Sequence, residues 1–195
     1  MITVYNFKDD NWENDFFYAY SPQTKAVAKF RRTDSGALTM GYNESIGNYD
    51  YISALTSKKY KSGTVIRAKC TFTGEGAPLL VFTNELVGGE DGEMRYGVHY
   101  EVVAYAGGMN VWHIVPCPED EKRHIKPTKI HAERFEIAEG APVEITVKIG
   151  QGEITAEVNG HAVTVAHGDI PSEFYVGFTG CEGDCAFTEF SVEEQ

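Results

Sequence analysis

The chain has 195 residues, 42% of them hydrophobic and 24% charged, enough apolar material for the core of one domain and too much for a disordered chain. Acids outnumber Lys and Arg by 29 to 17, for a formal net charge of -12. That charge argues against duplex nucleic acid and anionic membranes as partners, and no apolar run approaches the ~20 residues that cross a bilayer.

Taken from the start, residues 2–7, 26–32, 37–42 and 51–56 are weak strand candidates. The segment 64–73 alternates cleanly, with Ile66, Ala68, Cys70 and Phe72 on one face and Arg67, Lys69 and Thr71 on the other. Residues 79–85 form a denser apolar run, which predicts a central strand covered on both faces. Residues 97–105 and 110–116 predict a hairpin across Gly107-Gly108. The charged stretch 119–126 lies between Pro118 and Pro127 and predicts a loop with at most one helical turn.

Val143-Glu144-Ile145-Thr146-Val147-Lys148-Ile149 alternates without a break. Gly150-Gln151-Gly152 then turns the chain, and Ile154, Ala156 and Val158 continue the pattern. Asn159-Gly160 is a type I′ hairpin signal before Val163 and Val165. Residues 143–166 therefore predict a three-strand antiparallel meander. Residues 174–179 and 186–192 close the chain. Roughly ten to thirteen short strands with no long helical period predict one all-β domain spanning 1–195, a two-sheet antiparallel jelly-roll sandwich.

The four cysteines are Cys70, Cys117, Cys181 and Cys185. The first ten residues show no basic stretch followed by an apolar run, so the expectation is a cytoplasmic protein with thiols. In an oxidising compartment, Cys181 and Cys185 would suit a small disulfide loop and Asn43-Glu44-Ser45 a glycan.

Three segments carry a family pattern: Tyr96-Gly97-Val98-His99-Tyr100-Glu101-Val102-Val103, Gly107-Gly108-Met109-Asn110-Val111-Trp112, and Phe174-Tyr175-Val176-Gly177-Phe178-Thr179-Gly180 with Phe187-Thr188-Glu189-Phe190-Ser191-Val192. The chain resembles the concanavalin A-like lectin/glucanase jelly rolls, in particular laminin-G-like and sugar-hydrolase-like domains of carbohydrate-using bacteria. The resemblance implies a closing strand that returns beside the first, and chemistry on sugars. The closely spaced acids E-x-D-x-x-E of the glucanases are missing, and so is any alginate-lyase-type motif.

The hairpin concentrates the residues that sugar recognition uses. A loop centred on Gly107-Gly108 pairs Tyr105 with Asn110, Val103 with Trp112 and Glu101 with Ile114. Cross-strand partners share a face. One face then holds Tyr100, Val102, Ala104, Val111 and Val115, which is core material. The other holds His99, Glu101, Tyr105, Asn110 and Trp112. An aromatic plane stacks on a pyranose while carboxylate, amide and imidazole take its hydroxyls. A three-residue loop would instead bring His113 beside Glu101. Each residue also has a plainer reading: Trp112 as core, Glu101 as a solvated carboxylate, His99 as an edge histidine.

If the face is catalytic, Glu101 and His99 form the acid–base pair, with Tyr105, Asn110, Trp112 and His113 as ligand contacts. Hydrolysis would need a second carboxylate at ~5–10 Å, for which Glu85 and Glu44 are candidates. Elimination would need one base and one acid, and His and Tyr suit it. His99, Glu101 and either His113 or His131 are a weaker metal set, and no metal or other cofactor is assigned. Glu90-Asp91-Gly92-Glu93 offers oxygens to calcium, with a solvated turn as the plainer reading. Arg123 and His124 in the loop after the hairpin would suit an anionic sugar.

Three functions follow: a carbohydrate-binding or carbohydrate-active protein acting on oligosaccharides or modified glycosides, a glycoside hydrolase or lyase, and a structural or oligomerising module without a small ligand. Carbohydrate is the expected partner, and homo-oligomerisation is left open.

Overall fold

The computed structural model describes residues 1–20, 30–34, 38–39, 42–43, 48–49, 51–89, 92–120, 124–181 and 183–195. The expected alternation sets up two sheets. One runs His161–Ala166, Glu153–Val158, Val143–Ile149, Val65–Thr73, Asp184–Glu193, Leu38–Thr39, Arg31–Arg32, with Ile2–Tyr5 also paired to Asp184–Glu193. The closing strand thus returns beside the first, at the register Ile2↔Glu193 and Tyr5↔Phe190. The second sheet has ten strands, in the order Leu86–Gly88, Met94–Tyr96, Phe16–Tyr20, Ile52–Thr56, Glu173–Cys181, Ala77–Thr83, His99–Tyr105, Gly108–Pro116, Ile125–Arg134. Its tenth strand, Tyr60–Lys61, pairs with Glu173–Cys181. Tyr42–Asn43 and Asn48–Tyr49 pair separately. The one helical element among the described residues is a 3-10 turn at Asn11–Asp15. None of the described helical segments is long and apolar enough to cross a membrane.

The two sheets stack face to face as a jelly-roll sandwich, with the main core between them. Ile66, Ala68, Cys70 and Phe72 from one sheet meet Leu80, Phe82, Val176 and Phe178 from the other. Ala77–Thr83 is buried at every position, as its dense apolar run predicts for a central strand. The meander forms as expected. Its Asn159-Gly160 turn puts both residues at positive φ (49° and 86°), the geometry of a type I′ turn that asparagine and glycine tolerate. Residues 26–29, 37 and 40–41 of the weak candidates lie outside the described residues.

Besides the two- and three-residue strands Asn48–Tyr49, Tyr60–Lys61, Leu86–Gly88 and Met94–Tyr96, two longer strands escape the pattern. Phe16–Tyr20 is a run of aromatics without clean alternation. Ile125–Arg134 replaces the loop expected over 119–126 from Ile125 onward. It is an edge strand, where Pro127 costs no shared ladder bond on its free side. A bulge opposite Val111 and Trp112 leaves Ile130 as an extra residue and breaks the period of two. The loop before it closes on itself, with Cys117 N–H donating to His124 O at 2.8 Å. Arg123 lies outside the described residues.

Candidate functional site on the outer face of the ten-stranded sheet

The hairpin register settles which side chains share a face. Tyr105 pairs with Gly108, Val103 with Asn110, Glu101 with Trp112 and His99 with Ile114. The expected partners were two residues further along, so the pairings Tyr105–Asn110, Val103–Trp112 and Glu101–Ile114 are corrected. The turn is Ala106-Gly107 rather than one centred on Gly107-Gly108. Gly108 explains the difference: it sits at φ 129°, and a Cβ there would lie 2.1 Å from the Glu133 carbonyl oxygen of the next strand. Only a glycine can stand where the third strand crosses so closely. A slip of two preserves parity, so His99, Glu101, Tyr105, Asn110 and Trp112 lie together on the outer face, turned away from the main core. His113 lies on the opposite face, across from Tyr100, so the register that would place it beside Glu101 is not the one formed. His131 pairs with Val111 and lies on that same inner side.

The outer face has its own apolar patch of Ala19, Leu55, Ala77, Leu79, Val81, Tyr96 and Val103. Phe17, Tyr51, Tyr105, Trp112 and Tyr175, all partly exposed, pack around it. Across the sheet one row reads Trp112, Glu101, Val81, Gly177, Leu55. Lys129 from the edge strand holds its ammonium 4.8 Å above the Trp112 ring.

A buried polar network runs through this patch. Tyr51 Oη donates to Glu101 Oε1. Ser53 Oγ bonds both Tyr96 Oη and Thr179 Oγ1. The Tyr96 ring stacks on His99 with centroids 4.4 Å apart. His99 is 2% exposed and Glu101 5%. Sequence reasoning missed Tyr51, Ser53, Tyr96 and Thr179 as members of this set. Tyr51, Ser53 and Leu55 do alternate, but nothing local says they meet Glu101 from another strand.

The proton positions follow from the partners. His99 Nδ1 lies 3.0 Å from the Gly97 carbonyl, which only accepts, so Nδ1 carries the proton. Burial pushes the His99 pKa down to about 4, against the upward pull of that carbonyl. At neutral pH Nε2 is therefore bare, and it faces Glu101 Oε1 at 3.3 Å without hydrogen-bond alignment.

Asn110 Oδ1 is buried with no hydrogen-bond partner. Glu85 turns its carboxylate to the Val98 N–H at 3.3 Å. Glu101 is the one acid at an outer-face position of its own strand and the two beside it, Ala77–Thr83 and Gly108–Pro116; Glu173, at the start of Glu173–Cys181, has the same parity but is paired with Lys61 at 3.5 Å. Glu44, Glu90 and Asp91 lie outside the described residues, as does the side chain of Cys181. Cys185 is buried in the core.

No protein-family model and no curated protein matches the chain. Solved structures do. A carbohydrate-binding module, CBM66 from Bacillus subtilis, is 13% identical, with 90% of this chain and 94% of that chain covered at a TM-score of 0.60. A β-glucanase from Bacillus licheniformis is also 13% identical, with 100% and 98% covered and a TM-score of 0.59. A glycoside hydrolase family 16 endo-glucanase from Bacteroides ovatus is 9% identical, with 98% and 99% covered and a TM-score of 0.64. The fold is that of the concanavalin A-like jelly rolls. At these identities the likeness is one of architecture, and function must be argued from the site.

Proposed function

We propose that the outer face of the ten-stranded sheet binds an oligosaccharide or a modified glycoside, with Trp112 as its stacking platform and Glu101 as its hydroxyl-binding group. The observation that carries this reading is the register itself: a partly exposed Trp112 stands directly opposite Glu101, on a face rimmed by Tyr51, Tyr105 and Tyr175. Three strand spacings of ~4.8 Å separate the strand of Trp112 from that of Tyr175, about 14 Å, which suits a few sugar rings rather than one. The carbohydrate-binding module and the glucanases among the structural neighbours support a sugar as ligand.

Binding is favoured over hydrolysis. A glycosidase of either stereochemistry uses two carboxyl groups flanking the bond it cleaves. Glu101 stands without a second acid at the outer-face positions of the two strands beside it, and Glu173 further along the face is paired with Lys61. One observation favours a catalytic second reading: Glu101 beside a neutral His99 and the Tyr51 hydroxyl supplies the groups of an acid–base elimination.

A glycan array followed by calorimetry on the best oligosaccharide tests the proposal. Glu101→Gln keeps the shape of the side chain and should weaken binding roughly tenfold to a hundredfold, the ~1.5–3 kcal/mol of a hydrogen bond to a charged group. Affinity unchanged in Glu101→Gln, or an array with no hit, would remove the reading. Release of unsaturated sugar ends by the wild type, lost in His99→Gln, would move the assignment to the elimination.

A further inference from the structure

On the opposite face of the same hairpin, and independent of the sugar reading, lies a second cluster of chemical interest. We propose that His113, His167 and Asp169 form a transition-metal site, best suited to Zn²⁺, where the two sheets meet at the edge of the sandwich. His113 comes from Gly108–Pro116 in the ten-stranded sheet. His167 and Asp169 follow His161–Ala166, the edge strand of the other sheet. Their potential ligand atoms all lie within 4.8 Å of one another. Ligands bound at ~2.0 Å around a tetrahedral ion stand about 3.3 Å apart, so side-chain adjustments of about an ångström would close the set.

The surroundings are those of a histidine site with an outer partner. Tyr100 Oη lies 2.8 Å from His167 Nδ1, which leaves Nε2 of that ring for the ion and fixes the tautomer through the far nitrogen. Tyr100 is itself clamped between Phe82 at 4.8 Å and His113 at 4.7 Å, both stacked. The two imidazoles stand 4.6 Å apart by centroid. His113 Nε2 is buried and has no hydrogen-bond partner, an expensive state for a polar nitrogen that a metal bond would relieve. Asp169 is exposed, so the ion has a path from solvent. Gly168 between His167 and Asp169 has nothing within 4 Å of where a Cβ would stand, so the backbone between the two ligands is open on that side. Two imidazole nitrogens and one carboxylate suit zinc rather than calcium or magnesium, which take oxygen ligands. The ion would join the two sheets and leave one coordination position for water.

The test uses the full chain without a polyhistidine tag, stripped of metal and titrated with ZnCl₂ by calorimetry, with CaCl₂ in a parallel arm. The expected result is one zinc per chain, a raised melting temperature, and with CoCl₂ the visible absorption of a tetrahedral ion. Asp169→Asn should weaken zinc binding tenfold or more. His167→Gln should abolish it. Tyr100→Phe should cost about 10–100-fold through the lost partner of His167. Asp169 is exposed, so its variant folds even if the histidine variant does not. Zinc affinity retained in Asp169→Asn and in the Asp169→Asn/His167→Gln double variant would overturn the site. So would calcium binding there in place of zinc, or no stoichiometric binding by the wild type.

Discussion

On one face of the hairpin, Tyr100, Val102, Ala104, Met109 and Val111 are at most 1% exposed and meet the other sheet through apolar atoms. On the other face, one residue along, His99, Glu101, Asn110 and Trp112 combine imidazole, carboxyl, amide and aromatic surface, and polar groups stand at the middle of the hairpin, whereas the inner face keeps its polar groups to His113 and the Tyr100 hydroxyl at the edge of the sandwich. The backbone, the pairing and the neighbouring strands are the same for both. The difference lies in what each face is packed for. Apolar groups lose nothing by leaving water, whereas a buried imidazole and carboxyl cost stability unless something else, such as a ligand, gives them purpose. A protein under selection for stability alone would have no reason to keep Glu101 at the floor of an aromatic patch.

The largest test of this contrast is on the inner side. Phe178 is fully buried and touches the rings of Phe7, Trp12, Phe16, Phe30, Phe187 and Phe190 at centroid distances from 4.9 to 6.3 Å. Phe178→Ala should cost about 3–5 kcal/mol in denaturant unfolding, because six neighbouring rings cannot all collapse into the void. A cost near 1 kcal/mol would mean that the inner face is looser than its burial implies.

That inner face was also the part most legible in the sequence. Alternation in 64–73 and 143–149 gave strand and face together, because a half-buried strand must repeat every second residue, while the pairing of these two strands with each other was not legible. Parity carried the outer face as well: His99, Glu101, Tyr105, Asn110 and Trp112 share a side whichever even slip the hairpin takes. The exact register did not follow. It depends on a Cβ clash between Gly108 and a strand that begins at Ile125, and that strand was hidden by Pro127 and a bulge. The partners of Glu101 were equally out of reach, since Tyr51 arrives from 50 positions away. His167 and Asp169 gave no signal, because a loop after an edge strand says nothing about the histidine it will face.

The next test is the cost of the buried histidine. The unfolded imidazole titrates near its ordinary 6.5 and the folded one near 4, held down by burial. Between those values the unfolded chain binds more protons, so stability falls as pH drops from about 6.5 and the loss is complete below about 4. The span corresponds to about 3 kcal/mol. His99→Gln should flatten the stability profile across this window while leaving the profile above pH 7 parallel to wild type. Equal slopes in the two proteins between pH 4 and 6.5 would show that burial does not hold His99 neutral.

The smallest effect is expected at Trp112, and it is the most discriminating because stability and binding should part company there. The indole is partly exposed, lies on the outer patch rather than in the main core, and has Lys129 above it. Truncating a side chain of this size in a core costs about 3–5 kcal/mol. With part of its surface already in water, the edge of the outer patch to lose and a surface cation–π contact of ~0.5–1 kcal/mol, Trp112→Ala should cost only about 2 kcal/mol of stability. Its loss of oligosaccharide affinity should reach tenfold or more, since nothing else stands opposite Glu101 to stack on a sugar. Unfolding measurements and ligand titrations on the same preparation decide between the two roles. A destabilisation above about 3 kcal/mol with affinity unchanged in the remaining folded protein would make Trp112 a packing residue, and the outer face would then differ from the inner one only in polarity.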